Sequence, residues 1–382
     1  MAKLTAFIMS LILFVSQLFG AAGSADYQKQ LSLKDRLTRL TSKSETESAR
    51  FEGKHDGKPW NETDVFTLDD TVILKKEKGK EFVILNITDP HFEDYGYRSV
   101  LSAEGEATIR RLVAETSPDL ITVTGDIVCG ESDVYSIKKF TDMMEGFGVP
   151  WAPVFGNHDD EANCDLDYLC DVMMTAPNCL MQKGDPEMGY GNYIINIAEE
   201  NTDGTLDFVE TIFMMDSHHS QPNEKQQKWY KWAADGMNEI SGGKTEISVF
   251  MHIPLPDYQF AYDEAWNTEK NRWNDGYAAF GRQHESICCE RDANGDPVDR
   301  GFFALLKDTN AKYVFCGHEH MNDFSIEYQG IRLTYTMKLG YGSGFQIGYN
   351  GGTVIRLNEK LTGITHYTVS YGVKIPIENI EL

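Results

Sequence analysis

Apolar runs of about five residues alternate along the chain with longer segments in which apolar positions recur every three or four residues. The short runs predict buried strands, and the longer segments predict amphipathic helices. The predicted strands are 82–87, 120–124, 151–155, 211–215, 246–251 and 312–316, and the predicted helices are 102–114, 133–145, 224–239 and 301–308. Hairpin-like strands follow to the C-terminus. This order predicts an α/β fold in which two packed sheets are flanked by helices.

The N-terminus has the pattern of a secretory signal peptide over residues 1–25. Lys3 supplies a positive charge, the stretch Leu4–Phe19 is apolar, and small residues suited to cleavage follow. An uncleaved signal anchor is the alternative, although the apolar stretch is short for a membrane-spanning helix. We therefore expect a soluble protein without a stable membrane span, which is secreted or lies in an endomembrane or lysosome-like lumen.

Two further regions follow the predicted signal peptide. Residues 26–80 are polar, rich in Lys, Ser, Glu and Asp, and are expected to form an N-terminal extension with one strand near 71–74. The alternation of predicted strands and helices begins after this extension. Residues 81–382 are therefore expected to form a single domain.

The composition limits the functions that the chain can have. Of its 382 residues 41% are hydrophobic and 12% aromatic, which supports a globular core, and the net charge at pH 7 is -24. This acidity argues against a nucleic-acid-binding surface, because such a surface would be basic. An anionic substrate would need bound cations to supply the local attraction.

Residues that commonly bind metals follow directly after most of the predicted strands. They form the motifs Asp89-Pro90-His91, Gly125-Asp126, Gly156-Asn157-His158-Asp159, Met251-His252 and Gly317-His318-Glu319-His320. The carboxyl ends of successive strands converge on one edge of a sheet, where open α/β folds keep their active sites. Imidazole, carboxylate and amide oxygen suit Zn, Fe or Mn, and a carboxylate can bridge two ions. The motifs therefore predict a two-metal site.

The motif set resembles that of the calcineurin-like metallophosphoesterases, which reads D-x-H, GD, GNH[DE], H and GHxH. Short stretches such as Gly191-Asn192-Tyr193 and Met215-Asp216-Ser217 are similar to the short purple-acid-phosphatase-like proteins of plants and fungi, over roughly residues 80–370. The resemblance implies a four-layer α-β-β-α sandwich with two mixed sheets flanked by helices. It also implies two bound metal cations, which would be Fe, Zn or Mn.

The resemblance also assigns a ligand set to each ion. The first metal would be held by Asp89, His91, Asp126 and His320, and the second by Asp126, Asn157, His252 and His318. Asp126 would then bridge the two ions. His158 would remain off both metals and face the leaving oxygen of the substrate.

The chain departs from true purple acid phosphatases at one informative position. Those enzymes have a tyrosine three residues after the bridging aspartate, and its ferric complex gives the colour, whereas Cys129 stands there in this chain. They also lack the histidine of the D-x-H motif, which is present here as His91. The first metal would therefore have an imidazole in place of a phenolate, and no purple colour is expected.

The expected activity is hydrolysis of phosphate monoesters by attack of a metal-bound hydroxide. His158 would donate a proton to the leaving alkoxide, and Asp159 would hold the ring of His158 in orientation. The substrate would be a small phosphate ester or a phosphoprotein. Two alternatives stay open, namely a phosphodiesterase acting on nucleotides or lipid headgroups and a catalytically silent binding protein of the same fold. The sequence does not indicate an oligomeric state.

The seven cysteines divide into two groups. Cys129 and Cys316 lie beside metal motifs at strand ends and are expected to be buried thiols. The other cysteines could form disulfide bridges in an oxidising compartment, and the sequence does not fix a pairing among Cys164, Cys170, Cys179, Cys288 and Cys289.

Two segments match the N-glycosylation pattern N-x-[ST]. Asn61-Glu62-Thr63 lies in a polar stretch and predicts a glycoprotein with a surface glycan. Asn86-Ile87-Thr88 lies inside a predicted core strand, so we interpret that match as a coincidence.

Overall fold

The computed structural model describes residues 59–93, 98–129, 134–161, 165–217, 219–288, 290–342, 344, 349–370 and 373–381. The expected signal peptide and the first part of the N-terminal extension lie outside the described residues, as do Cys164 and Cys289. Within the described ranges, no helix is both long enough and apolar enough to cross a membrane.

The chain alternates strands and helices as the hydrophobic pattern predicts. The helices are α1 Arg98–Thr116, α2 Val134–Glu145, α3 Leu166–Met174, α4 Glu224–Ser241, α5 Asp257–Ala265 and α6 Phe302–Lys307. The strands are β1 Val72–Lys76, β2 Phe82–Ile87, β3 Leu120–Thr124, β4 Trp151–Val154, β5 Tyr193–Glu200, β6 Leu206–Met214, β7 Glu246–Phe250, β8 Trp266–Asn267, β9 Arg272–Trp273, β10 Ala279–Phe280, β11 Ala311–Cys316, β12 Ser325–Tyr328, β13 Ile331–Tyr335, β14 Gly351–Leu357, β15 Leu361–Ser370 and β16 Val373–Glu381.

One sheet has six strands in the order β16-β15-β14-β2-β3-β4. Strands β2, β3 and β4 are parallel, with Ile84 opposite Leu120 and Ile121 opposite Trp151, whereas β14 to β16 are antiparallel hairpin strands. Every residue of β3 and β4 is buried. Burial on both faces explains why these strands are continuous apolar runs in the sequence.

The second sheet has eight strands in the order β1-β5-β6-β7-β11-β13-β12-β10. Its strands β6, β7 and β11 are parallel to one another, and β5, β10 and β12 bring antiparallel pairs. Both sheets are therefore mixed. In each of them, three neighbouring parallel strands present their carboxyl ends on the same edge.

The helices lie on the outer faces of the two sheets. Helix α1 packs on β2, β14 and β15, and α2 packs on α3, while α4 contacts β6 and α5 contacts β12. The apolar stripe of α1 that the sequence predicts, Ile109, Leu112 and Val113, is fully buried. Helix, sheet, sheet and helix layers thus confirm the expected four-layer sandwich.

The fold contains more strands and helices than the sequence pattern predicts. The sequence pattern predicts no strand or helix over residues 256–300, but they contain α5 and strands β8, β9 and β10. Strand β5 was not predicted, yet all of its residues except Glu200 are buried between β1 and β6. In both places, contacts with distant parts of the chain supply order that the local pattern does not indicate.

The described part of the N-terminal extension packs on α4. The ring of Trp232 lies 5.9 Å from that of Trp60 and 5.1 Å from that of Phe66, and its Nε1 donates to the carbonyl of Asp64 at 2.7 Å. The strand predicted near 71–74 is present as β1, which pairs in parallel with β5. The extension therefore completes one edge of the eight-stranded sheet.

Candidate metal centre

The predicted motifs meet where the carboxyl ends of the two sets of parallel strands face each other. The six-stranded sheet supplies Asp89 and His91 after β2, Asp126 after β3 and Asn157 after β4. The eight-stranded sheet supplies His252 after β7, and His318 and His320 after β11. Their side chains form two adjoining clusters that share Asp126.

The first cluster consists of Asp89, His91, Asp126 and His320, whose nearest ligand atoms all lie within 4.8 Å of one another. Nε2 of His91 lies 3.5 Å from Oδ1 of Asp89 and 3.5 Å from Oδ2 of Asp126. Nε2 of His320 lies 3.2 Å from the same oxygen of Asp89. Oδ1 of Asp89, Nε2 of His91 and Oδ2 of Asp126 are buried and have no hydrogen-bond partner in the described part of the chain.

The second cluster is centred on His252. Its Nε2 lies 3.3 Å from Oδ2 of Asp126, 3.1 Å from Oδ1 of Asn157 and 3.3 Å from Nδ1 of His318. The other nitrogen, Nδ1, is 2.8 Å from the carbonyl of Thr124 and donates a hydrogen bond to it. That hydrogen bond fixes the tautomer and leaves the lone pair of Nε2 directed into the cluster.

The spacing and chemistry of these donors fit metal ions. Ligand atoms about 2.1 Å from a shared ion stand roughly 3.0–3.4 Å apart, and the closest donor pairs here are 3.1 to 3.5 Å apart. Buried oxygens without a partner carry a large desolvation penalty that a bound cation would remove. The two clusters could therefore hold two cations, with Oδ2 of Asp126 facing both.

The protonation of the imidazoles is consistent with this role. Burial and the nearby Lys338 ammonium together lower the pKa of His91 to about 4. Burial and the charge of His252 likewise lower the pKa of His318 to about 4, so both rings are neutral at pH 7. Burial also acts to lower the pKa of His252, but the carboxylates of Asp126 and Asp89 and the hydrogen bond to Thr124 together outweigh it and raise that pKa to about 10. A cation bound there would displace a proton.

Four residues of the two clusters have a left-handed backbone that non-glycine residues rarely adopt. The φ angles are 51° at Asp89, 48° at His91, 52° at Asp126 and 73° at His318. Such conformations cost on the order of 1–3 kcal/mol each and persist only where the surroundings enforce them. Backbone hydrogen bonds from Asp89 N to Gly125 O at 3.1 Å and from His91 N to Asp126 O at 3.0 Å tie these loops together.

The glycines of the motifs allow the ligands to approach one another. A Cβ atom on Gly125 would lie 2.5 Å from Nδ1 of His252. One on Gly156 would overlap the carboxylate of Asp126. These motif positions therefore require glycine, because loops from both sheets pack closely there.

His158 lies beside the clusters and contributes to neither. Its ring centroid is 5.4 Å from that of His91, and its side chain is 35% exposed. Nδ1 of His158 lies 2.9 Å from Oε1 of Glu161 but does not form a hydrogen bond with it. The backbone amide of His158 donates to Oδ1 of Asp126 at 2.9 Å. This bond leaves Oδ2 of Asp126 as the oxygen that faces the clusters.

Asp159 supports the loop, and this corrects the expectation that it orients the His158 ring. It is fully buried, and its oxygens accept hydrogen bonds from the amides of Val128 at 2.9 Å and Gly156 at 2.7 Å. Burial and the nearby Asp126 carboxylate hold the pKa of Asp159 well above its usual range. The carboxylate beside the His158 ring is that of Glu161.

Lys338 is a buried residue of the site that the motifs do not contain. Its exposed fraction is 3%, and its Nζ donates to the carbonyl of Asp89 at 3.3 Å. Gly344 is a second such residue, because its carbonyl lies 3.1 Å from Nδ1 of His320. The density of glycine between residues 340 and 344 is a sequence signal for this close approach, whereas nothing in the sequence distinguishes Lys338 from a surface lysine.

Glu319 connects the last motif to the segment that precedes α6. Its carboxylate accepts hydrogen bonds from the amide of Cys288 at 2.5 Å and from the hydroxyl of Tyr335 at 2.8 Å. Oε1 of Glu319 also lies 3.9 Å from Nε2 of His318. Residues around Cys288 therefore border the second cluster.

Four of the five described cysteines are buried, and one is exposed. Cys129 and Cys316 are buried, as predicted, and Sγ of Cys129 donates to Oε1 of Glu93 at 2.7 Å. Cys170 and Cys179 are also buried, and Cys288 is exposed. Two of the five cysteines for which bridges were considered lie outside the described residues.

Comparison with known proteins agrees with the motifs. The sequence model of the family described as "Calcineurin-like phosphoesterase" matches residues 82–322, well over half of the chain. "Probable inactive purple acid phosphatase 14" of Arabidopsis thaliana is 27% identical over 313 residues, which cover 70% of this chain and 73% of that protein. "Phosphatase DCR2" of Saccharomyces cerevisiae is 25% identical over 282 residues, covering 66% of this chain and 46% of that protein.

One of the similar solved structures has a lower sequence identity. A dimetal phosphatase from Danio rerio is 12% identical, with a TM-score of 0.48, and the alignment covers 78% of this chain and 98% of that protein.

Proposed function

Because the chain belongs to the calcineurin-like phosphoesterase family, we propose that it is a dinuclear metal-dependent phosphatase that hydrolyses phosphate monoesters. The observation that carries the proposal is the shared carboxylate. Oδ2 of Asp126 faces His91 in the first cluster and His252 in the second. The family binds two metal ions, and the chain retains a complete set of donors for both.

Each ion has a separate set of donors from this chain. Asp89, His91 and His320 would complete the first site, and Asn157, His252 and His318 would complete the second, with Asp126 common to both. Bound cations would supply charge neutralisation at the phosphoryl oxygens and would make water acidic enough to act as a nucleophile near neutral pH. Asn157 contributes a neutral oxygen, so it adds no negative charge to the second site.

Among the side chains that border the clusters, His158 is best suited to protonate the leaving group. It adjoins the first cluster, is partly exposed and is not part of either donor set. A leaving alkoxide is a poor leaving group unless it receives a proton in the transition state. His158 would donate that proton from one ring nitrogen, while Glu161 faces the other and limits rotation of the ring.

A phosphomonoesterase is preferred over a phosphodiesterase on two grounds. The yeast relative is named a phosphatase and the plant relatives are named after purple acid phosphatases. The net charge of -24 also disfavours large anionic substrates such as nucleic acids. A phosphodiesterase acting on small nucleotides or lipid headgroups is the second candidate.

The plant relatives are named "probable inactive", so the third candidate is a catalytically silent binding protein. A silent member of the family would be expected to lack a metal donor or the proton donor. In this chain both donor sets and His158 are present. This completeness favours the enzyme.

Metal analysis combined with paired substrate assays tests the proposal. The purified protein should contain two metal ions per chain and hydrolyse a phosphate monoester faster than the corresponding diester. Faster hydrolysis of the diester would favour the second candidate. Two bound ions with no turnover of either substrate would favour the silent binding protein.

We also propose that the chain is a secreted glycoprotein with a glycan on Asn61. Asn61 is exposed, and its Oδ1 accepts hydrogen bonds from the amide of Thr63 at 3.0 Å and from the hydroxyl at 2.9 Å. Asn86 of the other matching segment is fully buried and bonded to Thr122 and Thr336, so the folded chain could not accommodate a glycan there.

Secretion from a eukaryotic host tests both parts of this proposal. The mature chain should begin between Gly23 and Asp26, and Asn61→Gln should remove the mass of one glycan. The control Thr63→Ser preserves the acceptor pattern and should keep the glycan. An intact Met1 on membrane-bound protein would contradict secretion, and an unmodified Asn61 on secreted protein would contradict glycosylation.

A further inference from the structure

We propose that residues 338–342 form a positioning segment for the first metal site, in which Lys338 and Gly340 hold the strained backbone of Asp89. The inference rests on the proposed two-metal assignment and deepens it. It states that the first site depends on a segment that the second site does not use. None of the motifs that predict the ligands includes this segment.

The segment runs beside the end of β2 and binds its backbone. The amide of Leu339 donates to the carbonyl of Thr88 at 3.0 Å, and the amide of Gly340 donates to the carbonyl of Asp89 at 3.1 Å. Nζ of Lys338 donates to that same carbonyl at 3.3 Å. Two donors thus hold the carbonyl of Asp89. The φ angle of Asp89 is 51°, a conformation that needs external support.

The segment is itself held firmly. The side-chain amide of Asn350 donates to the carbonyl of Gly340 at 2.6 Å and to that of Leu339 at 3.2 Å. The amide of Gly351 donates to the carbonyl of Lys338 at 2.9 Å. The hydroxyl of Tyr341 is 3.2 Å from that of Thr108 in α1. Because the segment is itself fixed, it can hold Asp89 in place.

Glycine is required at position 340 but not at position 342. A Cβ atom on Gly340 would overlap the backbone carbonyls of Asp89 and Pro90, neither of which can move without displacing the loop. A Cβ atom on Gly342 would lie 3.5 Å from Cβ of His91, an ordinary contact distance. The two glycines, two residues apart, provide a disruptive variant and a matched control.

The burial of Lys338 is unfavourable in free energy. A lysine with an exposed fraction of 3% loses most of its hydration, and such burial needs compensation. The ammonium group therefore serves the loop that carries Asp89, since its hydrogen bond goes to the Asp89 carbonyl.

The second site is oriented mainly by other contacts, although the amide of His318 donates to Oδ2 of Asp89 at 3.1 Å. His252 is oriented by the carbonyl of Thr124 at 2.8 Å, and its neighbours in the cluster are Asn157 and His318. None of these contacts involves residues 338–342. Damage to the positioning segment should consequently release the first ion and leave the second.

Metal content measured by elemental analysis tests the proposal without reference to activity. Wild type and Gly342→Ala should each hold two ions per chain. Gly340→Ala and Lys338→Met should each hold close to one ion after dialysis, with the affinity of the weaker site reduced by about 10- to 100-fold, as when an outer contact of a metal ligand is lost. Circular dichroism of the metal-free proteins shows whether each variant is folded.

The outcomes separate this inference from the proposed function. Two tightly bound ions in folded Lys338→Met, or equal loss of both ions, would overturn the positioning role. If Gly340→Ala does not fold, Lys338→Met decides the question, because methionine matches lysine in length and adds no clash. A wild-type chain that binds no metal would instead contradict the two-metal assignment itself.

Discussion

Oδ2 of Asp126 lies 3.3 Å from Nε2 of His252, across the junction between the two sheets. Asp126 follows a strand of the six-stranded sheet and His252 follows a strand of the eight-stranded sheet. The contact therefore requires the sheets to pack with both sets of carboxyl ends together. Because the same oxygen faces His91, the packing of the two sheets creates both candidate metal sites at once.

Removal of His158 should affect chemistry and spare metal binding. His158→Ala should keep both ions, because the ring belongs to neither donor set, and should lower turnover by about 10²- to 10⁴-fold, the usual range for general acid–base catalysis. The loss should be smallest for an ester with an acidic leaving group such as nitrophenol and largest for an alkyl phosphate. Equal losses on both substrates would indicate a binding role, and loss of metal would indicate a ligand role.

Replacement of Glu161 should affect turnover, whereas replacement of Asp159 should affect stability. Glu161→Ala should lower turnover of an alkyl phosphate by about 10-fold, because the ring loses its electrostatic partner, and should leave the midpoint of thermal unfolding nearly unchanged. Glu161→Gln should restore part of the activity. Asp159→Ala should lower stability by about 2 kcal/mol or more, since the buried amides of Val128 and Gly156 lose their acceptors. Loss of stability in Glu161→Ala but not in Asp159→Ala would reverse these assignments.

Much of this site can be predicted from the sequence, and the exceptions have physical causes. The ligands follow apolar runs and a fixed order of motifs, so local pattern and chain order are enough to find them. The sequence does not show that Glu161, and not Asp159, lies beside the His158 ring. Asp159 instead accepts hydrogen bonds from the buried amides of Gly156 and Val128, which require an acceptor. That requirement exists only once the loops have packed.

Other features that the sequence does not predict also arise from packing between distant parts of the chain. Lys338 has no special sequence context, and its burial beside Asp89 follows from the way residues 338–342 return to the end of β2. Strand β5 is ordered by its neighbours β1 and β6, which are distant in sequence from one another. By contrast, the burial of Asn86 was predictable, because its strand is an uninterrupted apolar run apart from that residue.

The protein should lack the absorption band of a tyrosinate bound to ferric iron. Cys129 stands at the position of the tyrosine and is buried, with its thiol bonded to Glu93 at 2.7 Å. A visible spectrum of the iron-loaded protein is the measurement, and Cys129→Ser is the control that removes any thiolate contribution. A strong visible band that survives this substitution would mean that another residue supplies a phenolate.

His366 should contribute to acid sensitivity of the fold. It is fully buried between the sheets, where it bonds to Thr353 at 2.9 Å and to the carbonyl of Asp323 at 3.1 Å, and burial lowers its pKa to about 4. The unfolded chain takes up a proton at this residue below about pH 6.5, whereas the folded chain does so only near pH 4. This contribution to stability is therefore full above pH 6.5 and falls as the pH drops towards 4.

The comparison of wild type with His366→Gln isolates this effect, because the titration of the metal ligands is common to both proteins. Wild type should be the more stable of the two at pH 7, and its advantage should shrink by about 2 kcal/mol between pH 6.5 and pH 4.5. Urea unfolding at several pH values measures the difference. A constant difference across this range would show that His366 is not buried in its neutral form.

The central claim is that Asp126 bridges two ions that hydrolyse phosphate esters, and metal content of Asp126→Asn tests it most directly. Asp235→Asn, on the exposed side of α4 where the residue pairs with Lys231 at 2.8 Å, is the control for removal of a carboxylate. Wild type and the control should hold two ions per chain and hydrolyse a phosphate monoester. Asp126→Asn should stay folded, hold less than one ion per chain and lose more than about 100-fold of the activity, a larger effect than the loss of an outer contact. Two ions per chain and wild-type turnover in Asp126→Asn would contradict the account.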